Sequence, residues 1–384
     1  MQDGVIVLSA YTQSQRGNDA AHAFEQEANF WYLTGIDGPD WWVIIEGQKS
    51  WLVAPEIDSV HQVFNGSLSV EDAKRISGID GVLSRDDAHD MLQHIARTRP
   101  TVYTLGPDPH AQHYDFTLNP AGRTMRTYLK KVFADIKDCR QEIATLRAAK
   151  QPEEIIAIKH AIKLTTDTFN VIKSQLSALK YEYQVEAEFT YHFKSTGASN
   201  HAYDPIVASA GNAVTLHYGK NTDSLQDNTL LLIDIGARVD GYAADITRTY
   251  AIGTPTKRQV AVHASVEKAQ REIISLLKPG LKVSEYQKAV DHIMTEALIG
   301  LGLMKNRDDV DSYRKYFPHA IGHGLGIDVH DSLGRPTEFV HGMVLTVEPG
   351  IYIPEEQIGV RIEDDILITA TGHQNLSASL STSL

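Results

Sequence analysis

Cysteine is almost absent: Cys139 is the single one in 384 residues. No internal disulfide can form, so disulfide-stapled folds are excluded. A lone thiol with no histidine motif beside it reads as a small buried apolar residue rather than a nucleophile. Long apolar runs are also missing. No stretch reaches the roughly 18–20 uninterrupted apolar residues of a membrane span. The start of the chain has neither the basic residues nor the apolar run of a secretory signal, so the expected compartment is the cytoplasm. Basic residues are in short supply as well. Thirty-six Lys plus Arg face 49 Asp plus Glu, a formal net charge of −13. That balance repels phosphate backbones and anionic lipid, so neither nucleic acid nor membrane is expected as the main partner. What remains is ordinary for a soluble globular protein, with 42% hydrophobic and 22% charged residues. At roughly 100–200 residues per domain, the length fits two domains.

The pattern divides near residue 145. All four tryptophans (Trp31, Trp41, Trp42, Trp51) precede residue 52. Strand-like runs at Trp41–Ile45, Trp51–Ala54, Gly81–Ser84 and Thr101–Leu105 flank a helical Asp86–Arg97, which predicts a small α/β domain over 1–145. Gln151-Pro152-Glu153-Glu154 then starts a helix, with proline in the first turn and two acids at the positive end of the dipole. Ile155, Ile158, Ile162, Phe169, Ile172, Leu176 and Leu179 lie on one face and predict a helix of about 28 residues. Residues 146–384 carry a faint repeat. Glu182-Tyr183-Gln184 recurs as Glu285-Tyr286-Gln287, and Leu230–Gly236 has a counterpart in Val344–Gly350. Each half reads helix, helix, strands, and the shared order points to duplication.

Asp234 stands in an apolar strand, where a charge is out of place. If the following turn centres on Val239-Asp240, Asp234 lies across from Asp245, with Cβ atoms about 4.5–5.5 Å apart. A turn one residue later keeps them near neighbours. A loop at Pro354–Gln357 pairs Glu348 with Glu363 in the same way. Like charges face to face are destabilising, and desolvation costs each ion several kcal/mol. A shared proton relieves one pair; a divalent metal relieves four acids better.

Histidine is abundant, and His319, His323, His330 and His341 fall within 23 residues. Ala320 excludes the His-Glu-x-x-His zinc helix. Gly322-x-Gly324-x-Gly326 does not fit the dinucleotide fingerprint; it predicts a loop whose backbone passes close to something. Imidazoles gathered this densely suit metal ligation or proton transfer near neutrality. His217, just before the first acid hairpin, is open to either a functional or a structural reading.

Asp234-x-Gly236, Asp245–Thr249, Gly322–Gly326, Glu348-Pro349-Gly350 and Arg361–Asp364 together resemble the motif set of the pita-bread metallopeptidases. Within that family they are most similar to Xaa-Pro dipeptidase (prolidase) and Xaa-Pro aminopeptidase. The resemblance implies an α+β fold: a pita-bread catalytic domain with an internal pseudo-twofold, preceded by a smaller α/β creatinase-type N-terminal domain. It implies two divalent metal ions, with Asp234 chelating one, Asp245 and Glu363 bridging both, and His323 and Glu348 completing the other. Mn²⁺ is the first choice for such oxygen-rich ligation, with Zn²⁺ or Co²⁺ as alternatives. By the same resemblance a metal-bridging hydroxide is the nucleophile, Glu348 is the general base, and His217 and His330 flank the substrate. His319 and Arg361 stand behind the ligands, Arg361 orienting a bridging carboxylate.

The expected substrate is a small peptide with proline second, and the expected assembly a homodimer, to which the tryptophan-rich start could contribute if it is not core. The short span between Glu348 and Glu363 favours a dipeptidase; an aminopeptidase acting on longer peptides is the alternative. Many prolidases hold the dipeptide's carboxylate with an arginine just before the Gly-Met-Val-Leu strand. Thr337, Glu338 and Phe339 stand there instead, and Arg335 is the nearest substitute. A metal-free creatinase-like C–N hydrolase or a non-catalytic binding protein would be expected to lose ligands, and all five are present.

Overall fold

The computed structural model describes residues 4–107 and 117–384. The chain separates into two compact units, Met1–Ala144 and Thr145–Leu384. The first is built on a six-stranded mixed sheet. Its order is Gly81–Leu83, Lys49–Val53, Trp42–Glu46, Val5–Ser9, Thr101–Thr104, Asp135–Asp138. The hairpin between Trp42–Glu46 and Lys49–Val53 turns at Gly47, whose φ of 62° suits glycine. The central strand, Val5–Ser9, escapes a pattern search because a short, largely buried apolar run has no alternation. Trp41 is buried in the core below this sheet, and Trp42 and Trp51 pack against the core on its other face. Cys139 is buried too, and burial pushes its thiol up to about 12. The lone cysteine is therefore inert packing.

The second unit shows the expected duplication. The helices Pro152–Gln175 and Glu182–Ser195 precede the strands Thr229–Asp234 and Thr247–Ile252; the helices Lys257–Leu276 and Val283–Gly300 precede Val344–Val347 and Asp364–Ile368. The fold is α+β, with a pita-bread catalytic unit behind a smaller α/β domain. The first helix is shorter than predicted, 24 residues, because it tightens into a 3-10 turn at Leu176–Ala178. Its start is capped by Glu154, which accepts from the Gln151 backbone N–H at 2.8 Å. The Glu-Tyr-Gln matches are not in equivalent helical phase. Glu182 opens its helix and is buried, whereas Glu285 lies in the first turn of Val283–Gly300 and is exposed.

The strands that carry the acids are broken. Thr229–Asp234 stops and resumes as Ala237–Val239; the return strand runs as Tyr242–Ala243 and then Thr247–Ile252. The second hairpin repeats this: Val344–Val347 and Gly350–Ile353 outward, Ile358–Arg361 and Asp364–Ile368 back. Asp245, Glu348 and Glu363 fall in these breaks and Asp234 at the edge of one. The first turn differs from the expected Val239-Asp240. It is Asp240-Gly241, both with positive φ, and it pairs Asp234 with Thr247 instead of Asp245. An Asp-Gly turn of this kind matches the right-handed twist of the flanking strands. The second hairpin has the predicted register on both sides of its break, with Gly350 opposite Arg361 and Val347 opposite Asp364.

Arg248 locks the two hairpins and the C-terminal residues together. Its guanidinium donates to Asp364 Oδ1 at 2.6 Å and to the carbonyls of Glu363, Leu380 and Ser381. Both Arg248 and Asp364 are buried. No described helix is long and apolar enough to cross a membrane. Replacing Arg248 with alanine leaves a buried carboxylate and four carbonyls, that of Thr247 included, short of donors. It should cost about 3–5 kcal/mol in urea unfolding of the metal-loaded protein. A change under ~1 kcal/mol would show that the clamp is dispensable.

Candidate metal centre and active site

The breaks are what let acids from both strands point into one space. A regular strand turns successive side chains to opposite faces. Asp245, His323 and Glu363 each offer a ligand atom within 4.8 Å of one another. His323 Nε2 lies 3.4 Å from Asp245 Oδ2 and 3.6 Å from Glu348 Oε1. Asp234 completes the group, and its charge and that of Glu348 both bear on Glu363.

His323 is delivered by backbone pairing. The loop through Ile321–Leu325 runs along Val344–Val347: Glu348 N–H donates to the Ile321 carbonyl, Thr346 N–H to the His323 carbonyl, and Leu325 N–H to the Val344 carbonyl. A Cβ on Gly322 would sit 2.1 Å from the Thr346 carbonyl oxygen, so only glycine permits the approach. Gly326 is equally constrained, since its Cβ would meet the Asp331 carboxylate at 2.0 Å. Asp331 is itself buried between Arg147 at 3.0 Å and Lys150 at 3.2 Å, which anchors the end of the loop. His323 Nδ1 faces the Gly324 carbonyl at 3.0 Å. With that nitrogen as donor, Nε2 is the one directed at the acids and free to ligate a metal once its proton is displaced.

The surrounding hydrogen bonds hold the acids against their mutual repulsion. Arg361 donates from Nη2 to Asp234 Oδ2 at 2.5 Å. This corrects the expectation that it orients a bridging carboxylate. Arg361 starts on the second hairpin and crosses to the first, where Asp234 is the acid it meets. Its Nε reaches Thr247 Oγ1 at 3.2 Å, and the Thr247 hydroxyl donates to Glu363 Oε2 at 2.6 Å. Tyr203 donates to Asp234 Oδ1 at 2.5 Å. Arg361 also donates to the Tyr352 hydroxyl at 2.8 Å, which lies 2.9 Å from His319 Nε2. Burial, helped by the charge of Arg361, brings His319 down to about 4. Sequence reasoning missed Tyr203, Thr247 and Tyr352. Of these, only Thr247 lay inside a quoted motif.

Of the other expected residues, the three histidines lie near His323 and Glu348, the more exposed of the five candidate ligands. The His330 ring is 4.1 Å from that of His323, centroid to centroid. His217 is exposed and close enough for its charge to act on His319. His319 Nδ1 stands 3.7 Å from Glu348 Oε2. Arg335 occupies an exposed turn with φ 52°, and among the described residues no hydrogen bond or ion pair joins it to the acids.

Three buried carboxylates, the partly exposed Glu348 and one imidazole match the donor set of a divalent metal centre. A sequence model of metallopeptidase family M24 matches residues 156–370, and one of the aminopeptidase P N-terminal domain matches residues 1–103. Xaa-Pro aminopeptidase of Haemophilus influenzae is 32% identical over 98% of this chain and 91% of its own. Human Xaa-Pro aminopeptidase 3 is 32% identical over 97% of this chain and 78% of its own. Among solved structures, Escherichia coli aminopeptidase P with the inhibitor Pro-Leu superposes with a TM-score of 0.85 at 29% identity, covering 100% of this chain and 93% of that one. Proline aminopeptidase P II from Yersinia pestis gives 0.84 at 31% identity, covering 99% and 93%. The chain belongs to metallopeptidase family M24.

In the metal-free protein, burial pushes Glu348 up to about 7. Burial alone would depress His323, but the hydrogen bond and charge of Asp245, with Glu348, raise it to about 9. Both groups bind protons more tightly folded than unfolded. Their stabilisation is complete below the unfolded values and is lost as pH rises, from about 4.5 to 7 for Glu348 and from about 6.5 to 9 for His323. The melting temperature of chelator-treated protein should therefore fall between pH 5 and 8.5. Mn²⁺ should raise it, by at least about 5 °C at the upper end and less at the lower. A metal-induced rise independent of pH would show that these groups are not the ligands.

Proposed function

We propose that this protein is an Xaa-Pro aminopeptidase. It would remove the first residue from peptides with proline second, using two divalent ions, Mn²⁺ the first choice. The observation that carries the reading is the convergence of Asp234, Asp245, Glu348, Glu363 and His323 at paired strand breaks. The chain around them is matched almost end to end by proteins of that name.

Asp234, Asp245, His323, Glu348 and Glu363 would hold the ions. A pair of divalent ions bound there supplies an activated water and polarises the scissile carbonyl. Glu348 and His323 are the ligands most open to solvent, with side chains 16% and 21% exposed. That exposure supports Glu348 as the group that would take the water's proton. His217 and His330, both exposed, would hold the substrate and steady charge developing on the carbonyl oxygen. Arg361 would fix Asp234, and the neutral His319 would support Glu348 and Tyr352 from behind.

The dipeptidase reading rested on the short span between Glu348 and Glu363. The relatives are aminopeptidases, and Arg335 is exposed instead of lining the cleft. Both observations favour longer substrates. Ala-Pro-Ala should be cleaved at least about tenfold better than Ala-Pro, expressed as kcat/KM. Chelation should abolish turnover and Mn²⁺ restore it. Asp245→Asn and Glu363→Gln should each lower kcat by about 10³-fold or more with reduced bound metal and unchanged circular dichroism. Faster cleavage of Ala-Pro than of Ala-Pro-Ala would return the dipeptidase reading.

A further inference from the structure

Glu182 lies outside the metal centre, yet it is the most fully satisfied carboxylate in the catalytic unit. It is completely buried. Its Oε1 accepts from Ser209 N–H at 2.8 Å, Ser209 Oγ at 2.7 Å and Asn212 Nδ2 at 2.9 Å. Its Oε2 accepts from the Tyr218 hydroxyl and from Asp223 N–H, both at 2.9 Å. The five donors span residues 209–223, a segment that leaves the strand Ile206–Ser209, makes a 3-10 turn at Ala210–Val214 and passes through His217. Glu182 N–H also donates to the Asp223 carbonyl at 3.0 Å, so the segment's return is held twice. Asn212 adds a bond to Asp223 Oδ2 at 2.9 Å, tying the two stems to each other.

The duplicated half uses its matching residue differently. Glu285 is exposed and faces only Lys282, at 3.8 Å. Glu285 stands two positions further into its helix, and the first residue there is Val283, so the buried, five-times-bonded acid has no counterpart in the second half and accompanies what the first half carries, the His217 segment. Val214, Leu216 and Tyr218 pack against the apolar cluster that includes Tyr352, the residue touching Arg361 and His319. The segment is thus seated from below by packing and gathered at its ends by one carboxylate.

We infer that Glu182 is a positioning residue for His217, acting through the Tyr218 hydroxyl and through both stems of the 209–223 segment. The inference rests on the reading of His217 as a substrate-contacting group. Gathering five donors on one buried anion fixes the backbone on both sides of the histidine. A displacement of about 1 Å at such a group can cost on the order of 10²-fold in rate.

The test is a set of double-mutant cycles with Ala-Pro-Ala on the Mn²⁺-loaded enzyme. Glu182→Gln leaves one acceptor oxygen and turns an NH₂ toward two donors. Tyr218→Phe removes a single hydroxyl and carries the test alone if the Gln variant fails to fold. Each should lower kcat by about tenfold, with KM changed less and bound metal unchanged. In a His217→Ala background neither should cost more than about twofold further, because the group they position is gone. Effects that multiply in that background, or metal loss in parallel with activity, would overturn the inference. So would wild-type turnover by both variants while His217→Ala is impaired. Wild-type turnover by His217→Ala would instead remove the catalytic reading of His217, and the inference with it.

Discussion

The catalytic unit is organised around four carboxylates taken out of water within reach of one another. Burial raises Glu363 well above the ordinary carboxylate range, with Asp245, Glu348 and Asp234 adding to the effect. Hydrophobic packing cannot hold such a cluster, since it rewards apolar contact and leaves the charges uncompensated. The compensation comes from side chains that cross between the hairpins. Arg361, from the second, reaches Asp234 on the first; Thr247, from the first, reaches Glu363 on the second. Hydrogen bonds to ionised groups are roughly twice as strong as neutral ones. Separating the hairpins would strip Asp234 of Arg361 and Glu363 of Thr247. The site and the joint between the two halves are the same set of contacts.

The strand breaks make this geometry available. An unbroken ladder would send neighbouring residues to opposite faces and space the acids along one sheet. Interrupting the strands at 235–236, 244–246, 348–349 and 362–363 frees the backbone to turn all four acids inward. The apolar runs on either side keep the ladders intact, so the breaks stay local. The halves share this device but surround it differently. The first contributes the His217 segment with its Glu182 anchor. The second contributes the glycine-rich loop that lies along Val344–Val347 and ends on Asp331 between Arg147 and Lys150.

The acids were legible because each contradicts its surroundings: Asp234 ends the run Leu230–Ile233, and Glu348 follows Val344–Val347. A contradiction of that kind needs a chemical reason, and the family motifs agreed with it. The second register was readable from one short loop. In the first, the turn was placed one residue early and the pairing two residues off, although Asp240-Gly241 is a strong hairpin turn signal. Tyr203 left no trace in the pattern, since a single tyrosine carries no periodicity. The repeated Glu-Tyr-Gln letters misled for a related reason. Identity of residues does not imply identity of helical phase, and a shift of about two positions moves a side chain from the core to water.

The span between Glu348 and Glu363 shows why a length difference is a weak guide to the substrate. Its turn, Pro354–Gln357, sits at the far end of the ladder formed by Gly350–Ile353 and Ile358–Arg361. Four residues of strand separate it from the acids, about 13 Å. The turn is tied outward, Glu356 to Arg258 and Glu355 to Lys315, away from the chemistry. Lengthening or shortening that tip leaves the acids and histidines where they are. What distinguishes a dipeptide from a longer peptide is the free carboxylate one residue past the scissile bond. Recognising it takes a cation fixed at that end of the cleft, and its anchoring costs side-chain entropy unless packing holds it. Arg335, exposed on a left-handed turn, has no such support. The absence of a held cation at the position the dipeptidases use therefore weighs more than the length of a distant turn.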